Sequence, residues 1–430
     1  MTPISKRQFL GSIAGGLAVA TLPPLAACTQ AFAQVAAVAP GELAQDEPFW
    51  ESVRKQYGVT HDFVQLENGY YSLTAEPVLD NYIRHIRDVN AISSYYMRTK
   101  QADDKLAVRR ELARMLGCPV EELIVTRNTT ESLDTVISGF DWKPGDEAVM
   151  AEQDYGSMLD MFKLQARRHG MVNRVVSVPL QPASDDEIVA LYERAITPKT
   201  RLLMVCHMIN ITGQILPVKK IVETAHRHGV QVMVDGSHTF AQLDFRIADL
   251  GGCDYYGSSL HKWLGAPLGS GILHVRRERI AGLWPIYADA SFADDDIRKL
   301  NHTGTHPAAT DLAIHDAIAF HEAIGGVRKM ARLRHLQRYW TSQVRGVGRI
   351  VVNTPEAVER SCAIANVGID GIAPADLART LLDEHRIFTV AIDGAGVHGV
   401  RVTPHVFTAT RELDALVAAL RQMAGQGAHA

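Results

Sequence analysis

A lysine stands among small, aromatic and apolar residues in the stretch GSSLHKWLGAP, residues 257–267. Lys262 follows two serines and lies between a histidine and a tryptophan. Burying an ammonium group costs free energy unless its pKa falls or its nitrogen becomes covalently bound. Lysines in such surroundings act as bases or form Schiff bases with carbonyl groups. We therefore expect chemistry at the Lys262 nitrogen.

Two threonines stand where an anion could bind. Thr129 and Thr130 follow the apolar run ELIVT, residues 122–126, and precede a helix that we predict to begin near Glu131. Hydroxyl groups, free backbone N–H groups and the helix dipole together favour an anion at a helix start. A plain N-cap is the alternative for either threonine, and it is the simpler interpretation of each one alone.

Other groups suited to binding also follow strand-like runs. Asp235 ends the run VQVMVDG, and His238 comes three residues later. A buried carboxylate needs a partner such as a protonated ring nitrogen, although Asp235 could also be a structural N-cap. Asn210 follows RLLMVCH, and Tyr155 follows EAVMA, where its ring could stack on a flat ligand.

The elements that must position these groups alternate from about residue 105 onward. KLAVRRELARMLG is an amphipathic helix that Gly117 closes. Short apolar runs predict strands at 122–126, 147–151, 173–179, 201–207 and 230–236, and in CDYYGSS and GSGILHVR. This order predicts an α/β fold with a mainly parallel sheet covered by helices. Ligands bind beyond the carboxyl ends of such strands, where the groups described above lie.

The pattern changes after about residue 320. A long basic helix, GGVRKMARLRHLQRYWTSQVRGV, is followed by a strand-like run and two further helices. We predict a large domain at residues 81–320 and a smaller C-terminal α+β domain at residues 321–430. The N-terminal arm, residues 34–80, is predicted to pack on the small domain, so that the two ends of the mature chain meet.

Residues 1–33 have the character of an export signal. A short basic segment precedes a Gly/Ala-rich apolar stretch, and Ala-Phe-Ala before Gln34 fits a cleavage site. SKRQFL resembles a twin-arginine signal with Lys6 in place of the first arginine. LAAC also resembles a lipoprotein box that would leave a lipidated Cys28, and a disordered Ala-rich tail is the third interpretation. We expect a periplasmic protein that is exported in its folded state.

Composition excludes several classes of partner. The net charge of −4 and the apolar fraction of 47% are typical of a globular protein with no basic surface for nucleic acid. The apolar stretch of the leader is too short and too broken by proline for a membrane span. The four cysteines outside the leader show neither CxxC spacing nor a disulfide framework. We expect no nucleic-acid partner, no metal site and no membrane span.

Together these groups meet the needs of pyridoxal 5'-phosphate (PLP). This cofactor requires a lysine for a Schiff base, an acid beside its pyridine nitrogen and an anchored phosphate. Lys262, Asp235 and the threonine pair are candidates for these three roles. The lysine in an apolar setting is then explained by its covalent bond to the cofactor.

The motifs NTTESLD, NITGQILPV, VDGSH and SSLHKWLGAPLGSG, in this order, resemble class V aminotransferases, which are fold-type I PLP enzymes. Within this class the sequence resembles the isopenicillin N epimerase-like proteins, over about residues 60–424. The resemblance implies a fold-type I transferase that acts at the α-carbon of an amino acid or amino-acid-derived metabolite. The implied reaction is that of an aminotransferase or an epimerase, and it passes through an external aldimine and a quinonoid. A periplasmic oxidative decarboxylase, deaminase or lyase that tailors a peptide or siderophore is the alternative. A non-catalytic protein of the same fold is the third interpretation.

The resemblance also implies the contacts of the cofactor. Lys262 corresponds to the lysine that carries PLP, and Asp235 to the partner of the pyridine nitrogen. Contacts with the ring, its phenolic oxygen and the substrate are implied for Tyr155, Asn210 and His238. Phosphate contacts are implied for Thr129, Thr130, Ser259 and His261.

Two further roles follow from the same resemblance. Thr305, in HTGTHP, corresponds to a residue that reaches the phosphate of the neighbouring subunit, which implies a homodimer with shared sites. Arg401, in GVRVTPHVF, corresponds to the arginine that binds the α-carboxylate of the substrate as a bidentate pair. Residues 386–400 contain no cysteine, which disfavours the persulfide chemistry of class V desulfurases.

Overall fold

The computed structural model of the protein describes Phe32 and residues 37–425. Apart from Phe32, the predicted export signal lies outside the described residues, and Cys28 lies outside them as well. The first elements are two short helices, a two-residue strand and two long helices: α1 Pro40–Leu43, α2 Glu47–Arg54, β1 Val64–Gln65, α3 Glu76–Thr99 and α4 Gln101–Leu116. Gly117 ends α4 in the left-handed conformation (φ 73°), as the sequence predicts.

Strands and helices then alternate through the large sheet. The elements are β2 Leu123–Thr126, α5 Thr129–Gly139, β3 Glu147–Ala151, α6 Gly156–His169, β4 Val172–Val176, α7 Asp185–Ala195, β5 Thr200–Cys206, α8 Val218–Arg227, β6 Gln231–Asp235, β7 Tyr255–Ser259 and β8 Gly271–Val275. The seven strands have the order β2-β8-β7-β6-β5-β3-β4. The five strands β7, β6, β5, β3 and β4 pair in parallel with their neighbours in this order, whereas β8 runs antiparallel to both β2 and β7.

The second half of the chain builds a smaller sheet. Its elements are α9 Arg277–Ile280, α10 Ala308–Ile324, α11 Gly326–Val344, β9 Ile350–Val352, β10 Ala365–Ile369, α12 Pro374–His385, β11 Ile387–Phe388, β12 Val390–Gly394, β13 Val397–Val402 and α13 Thr410–Met423. The antiparallel order is β12-β13-β10-β9. Short 3₁₀ helices lie at Val120–Glu122, Ile247–Leu250, Ile297–Asn301 and Val358–Arg360. None of the helices in the described part of the chain is long and apolar enough to cross a membrane.

Both faces of the large sheet are covered. All residues of β3 are buried, with Ala148 and Met150 in one apolar cluster and Val149 and Ala151 in another. Alternate residues of a strand point to opposite faces, so a strand buried on both sides is apolar along its whole length. The predicted α/β fold with a mainly parallel sheet and a smaller α+β part is confirmed. The exact domain boundaries stay a prediction.

The N-terminal arm joins the small sheet region through backbone pairing. β1 pairs in parallel with β11, so that Val64 lies opposite Ile387. Arg54 forms two hydrogen bonds with the Glu412 carboxylate, at 2.7 and 2.8 Å. These contacts bring residues near both ends of the described chain together.

Phe32 packs inside the protein although it falls within the predicted export signal. Its side chain is 2% exposed, and its ring centroid lies 5.8 Å from Phe49 and 6.1 Å from Phe320. Cleavage after Ala33 would remove this residue, whereas cleavage before Cys28 would keep it.

We expect a recombinant chain that begins at Gln34 to be less stable than one that begins at Cys28. Loss of a buried Phe side chain costs about 3 kcal/mol of unfolding free energy, because apolar contacts are lost and a cavity remains. Urea unfolding of the two chains measures the difference. Phe32→Ala in the longer chain should reproduce it, and equal stabilities of all three proteins would contradict the role of Phe32.

Candidate active site

A pocket lies where strands β5 and β6 of the large sheet end. Cys206 and Asp235 are the last residues of these strands, and both line the pocket. The full lining is Tyr70, Tyr155, Cys206, Met208, Asn210, Asp235, Ser237, His238 and Lys262. The fold therefore brings five of the predicted site residues into one cavity, because the carboxyl ends of parallel strands meet at the same edge of a sheet.

Lys262 lies in the turn that follows β7. Desolvation lowers the pKa of its ammonium group to about 8, while the nearby Asp235 carboxylate acts in the opposite direction. A lysine with a depressed pKa has a larger neutral, nucleophilic fraction near neutral pH than an ordinary lysine. The position and electrostatics of this amine thus suit covalent chemistry.

The Asp235 carboxylate is fixed by its own turn. Its Oδ1 atom accepts hydrogen bonds from the backbone N–H of Ser237 at 2.9 Å and from the Ser237 hydroxyl at 2.6 Å. Asp side chains commonly bind the backbone two residues further on in this way. The next described helix after Asp235 begins only at Ile247, so the N-cap alternative for Asp235 is wrong.

The helix start beside the pocket differs from its predicted form. α5 begins at Thr129, earlier than the predicted start near Glu131, and Asn128 is its N-cap. The Asn128 side-chain oxygen accepts the Glu131 N–H at 2.9 Å. Because asparagine satisfies the free N–H group, the N-cap alternative for Thr129 and Thr130 is wrong.

A cluster of buried hydroxyl groups occupies this helix start. The Thr129 hydroxyl lies 2.8 Å from Ser259 Oγ and 2.9 Å from Ser237 Oγ. The Thr129 backbone N–H also donates to Ser259 Oγ, at 3.0 Å. Thr130 is the next residue of the helix and is partly exposed. Hydroxyl donors at the N-terminus of α5 suit an anionic group such as a phosphate.

His238 has a defined protonation state. Trp263 Nε1 donates a hydrogen bond to His238 Nδ1 at 3.3 Å. Burial, aided by the charge of Lys262, lowers the pKa of the His238 imidazole well below its ordinary value. A neutral imidazole whose Nδ1 accepts must carry its proton on Nε2. His238 can therefore donate a hydrogen bond from Nε2 to a ligand.

Asn210 supplies a second polar group of the pocket wall. Its side-chain Oδ1 is buried and has no hydrogen-bond partner among the described residues. The turn that follows requires Gly213, which has φ 76°, and a Cβ atom there would lie 2.1 Å from the carbonyl oxygen of Ile364. This close approach fixes the chain just beyond Asn210.

His261 lies behind the pocket wall. Its ring stacks on Tyr71 with centroids 5.9 Å apart, and burial lowers the pKa of its imidazole to about 4. The ring is neutral at physiological pH. Thr305 lies on an exposed loop before α10, and its contact with a neighbouring subunit stays a prediction.

Arg401 does not line the pocket, but it contacts the lining residues Tyr70 and Asn210. Its guanidinium donates to the Glu67 carboxylate from Nε at 3.1 Å and from Nη2 at 2.8 Å, and Nη1 donates to the Asn210 carbonyl at 3.3 Å. The Tyr70 ring lies over it, with 4.1 Å between Cζ and the ring centroid. The bidentate pair predicted with a substrate carboxylate is formed with Glu67 within the chain itself.

Sequence reasoning missed several residues that shape the site. Ser237 could have been found, because an Asp followed two positions later by a hydroxyl residue is typical of a side-chain turn. Glu67 and Tyr70 carry no such signal. They lie in the N-terminal arm, and only the tertiary fold brings them to Arg401 and the pocket.

A family model described as aminotransferase class V matches residues 71–416. The chain belongs to the aminotransferase class V family. This class V enzyme is 29% identical over 394 residues to an isopenicillin N epimerase from Amycolatopsis lactamdurans, a match that covers 87% of this chain and 98% of the relative. It is 28% identical over 398 residues to a probable cysteine desulfurase from Halobacterium salinarum, with 84% and 91% covered.

Solved structures share the fold of this chain. A C-DES mutant with glycine covalently linked to its PLP cofactor has a TM-score of 0.77 at 20% identity, covering 85% of this chain and 98% of that chain. A cysteine desulfurase from Thermococcus onnurineus NA1 has a TM-score of 0.74 at 20% identity, with 87% and 98% covered. The predicted family, the fold-type I architecture, the enzyme class and the cofactor PLP are confirmed.

The chemistry of the pocket fits PLP. The unpartnered Asn210 Oδ1 needs a polar ligand, and the hydroxyl cluster at the start of α5 can receive a phosphate. Lys262 would hold the aldehyde carbon, Asp235 the ring nitrogen, and Thr129 with Ser259 the phosphate.

We expect covalent attachment of PLP to the cofactor-free protein to accelerate as pH rises and to level off above about pH 8, because only the neutral Lys262 amine attacks the aldehyde. Asp235→Asn should move the midpoint to lower pH, since the carboxylate stabilises the ammonium form. Stopped-flow absorbance across a pH series measures the rate. Asp376→Asn, at an exposed pair with Arg379, is the matched control and should leave the midpoint unchanged. A midpoint near the ordinary lysine pKa would contradict the desolvation of Lys262.

Proposed function

We propose that this class V enzyme acts at the α-carbon of an amino acid or amino-acid-derived metabolite, as an aminotransferase or an epimerase. The observation that carries the proposal is the shared pocket of Lys262, with its lowered pKa, and the fixed Asp235 carboxylate. Similarity to isopenicillin N epimerases from two bacteria supports chemistry at an amine-bearing carbon.

When bound, PLP supplies an electron sink for a bond broken at the amine-bearing carbon of the substrate. Lys262 Nζ binds the cofactor and, as a neutral amine, removes the proton from that carbon. Asp235 would hold a proton on the ring nitrogen of the cofactor, and Ser237 keeps the carboxylate in place. His238 would donate from Nε2 to the phenolic oxygen, because Trp263 occupies its Nδ1 atom.

Desulfurase chemistry does not form part of the proposal, although relatives bear that name. A desulfurase of this class requires a nucleophilic cysteine on the loop before Arg401, and residues 386–400 contain none. Cys206 lines the pocket, but burial raises the pKa of its thiol well above the ordinary value. A thiol in that state is a poor nucleophile.

The alternative reaction is that of a lyase or of an oxidative decarboxylase or deaminase that tailors a peptide or siderophore. A similar structure is that of a cystine C-S lyase in complex with cysteine persulfide, which supports lyase chemistry on this fold. A non-catalytic protein would not need to retain both Lys262 and Asp235. These reactions differ in the product that forms after the first proton is removed from the amine-bearing carbon.

We also propose periplasmic export in the folded state and assembly as a homodimer. The leader sequence supports export, and folding before transport suits a protein that binds its cofactor in the cytoplasm. Large exposed apolar side chains support self-association, among them Trp284 at 67% and Tyr287 at 53% exposure. Light scattering after size-exclusion chromatography of the purified mature protein measures the mass in solution.

The decisive experiment is an absorption spectrum of the purified protein before and after borohydride, followed by peptide mapping. We expect a visible band that borohydride removes and a pyridoxyl group on Lys262, and we expect Lys262→Ala to show neither. Mass spectrometry after incubation with candidate amines then distinguishes a keto product, an inverted stereocentre and an elimination product. A protein that binds no PLP would overturn the proposed function.

A further inference from the structure

Three N–H groups of Arg401 form hydrogen bonds within its own chain. Arg401 is 0% exposed and Glu67 is 5% exposed, and the bidentate pair between them is complete. The carbonyl of Asn210 takes a third N–H group. Arg401 is not among the residues that line the pocket, whereas Tyr70, whose ring lies over the guanidinium, does line it.

Glu67 is itself fixed in place. Besides the Arg401 contacts, its Oε1 atom accepts the backbone N–H of Gly69 at 2.7 Å and that of Tyr70 at 2.8 Å. Moving Glu67 away would leave two backbone N–H groups and two charged groups without partners in a buried setting. Unpaired buried charges cost free energy, so a substrate carboxylate does not easily displace Glu67 from Arg401.

The backbone around Glu67 is shaped to bring the pair close. A Cβ atom on Gly69 would lie 3.1 Å from the Arg401 guanidinium carbon. Only glycine allows the chain to approach the arginine this closely without a shift of its neighbours. Asn68 anchors the same stretch through hydrogen bonds to Thr403 at 2.6 and 2.7 Å. The arrangement is rigid on both sides of the ion pair.

The pair also has opposing effects on the amine. Arg401 lowers the pKa of Lys262, whereas Glu67 raises it. The positive charge that would attract a substrate carboxylate is therefore offset by a negative charge beside it. Among the described residues, Lys262 is the one cationic side chain that lines the pocket, and it is the catalytic amine. A carboxylate on the reacting carbon would therefore have no further cation to pair with, and it would meet repulsion from Glu67.

We propose that Glu67 is a specificity-determining residue that occupies the carboxylate position at Arg401, so that the enzyme selects an amine whose reacting carbon carries no free carboxylate. An amino-acid amide, a peptide amine with a blocked α-carboxyl group or a decarboxylated amine has this chemistry. The inference rests on the proposed function and narrows its substrate class.

The test compares α-amino acids with their α-carboxamides on the purified PLP-loaded enzyme. The probes are alanine, leucine and phenylalanine and the matching amides, each in both enantiomeric forms. Binding is read as the dissociation constant from the change in visible absorption and is expressed per neutral amine, because the carboxylate raises the amine pKa. In the wild type we expect at least one amide to bind tenfold or more tightly than its acid.

Glu67→Gln removes the charge but keeps an oxygen that can accept the Gly69 and Tyr70 N–H groups. We expect the acids to bind at least tenfold more tightly to this variant, while the amides change less than threefold. Glu51→Gln is the matched control, since it neutralises a surface carboxylate paired with Arg411 and lies outside the pocket. Thermal unfolding confirms that each variant is folded. If Glu67→Gln does not fold, the comparison of acids with amides on the wild-type enzyme still tests the proposal.

Three outcomes overturn the proposal. The first is that the acids bind as tightly as the amides in the wild type. The second is that the acids bind no more tightly to folded Glu67→Gln than to the wild type. The third is that the PLP-loaded enzyme binds neither acids nor amides. Failure of the proposed function itself appears separately, as a protein in which borohydride leaves no pyridoxyl group on Lys262.

Discussion

A primary amine held away from water is the constraint around which the site is built. Desolvation brings the pKa of Lys262 to about 8, and the sheet edge places Asp235 close enough to act on that amine. The amine must be neutral to attack a carbonyl, yet the carboxylate beside it must remain charged to serve a ring nitrogen. The turn at Ser237 holds this carboxylate in place through two hydrogen bonds.

The same turn links the two halves of the binding site. The Ser237 hydroxyl donates to Asp235 and lies 2.9 Å from the Thr129 hydroxyl, which lies beside Ser259 at the end of β7. The position expected for the ring nitrogen and the position expected for the phosphate are thus connected by a short chain of hydrogen bonds. A change at Ser237 would disturb both, which makes this residue more important than its neutral side chain suggests.

The walls of the pocket come from a distant part of the sequence. The N-terminal arm is held to the C-terminal region by the β1–β11 pair and by the Arg54–Glu412 ion pair. This attachment positions Tyr70 against the pocket and Glu67 against Arg401. Relatives named epimerase and desulfurase both match most of this chain. The residues that line the rest of the pocket must therefore decide which substrate enters, since fold alone does not fix function.

The sequence by itself determined the alternating elements, the covered sheet, the class and the lysine–aspartate pair, because apolar runs and residues at strand ends are local signals. The sequence did not determine where α5 begins, because Asn128, Thr129 and Thr130 are all suitable N-cap residues. In the structure Asn128 is the N-cap, and its side chain accepts a hydrogen bond from the Glu131 N–H. It also could not show that Arg401 is already paired. Glu67 and Arg401 are far apart in the chain, and only the docking of the arm onto the C-terminal region, where β1 pairs with β11, brings their charges into contact. Long-range pairing of this kind leaves no periodic or local pattern, so the tertiary structure alone decided it.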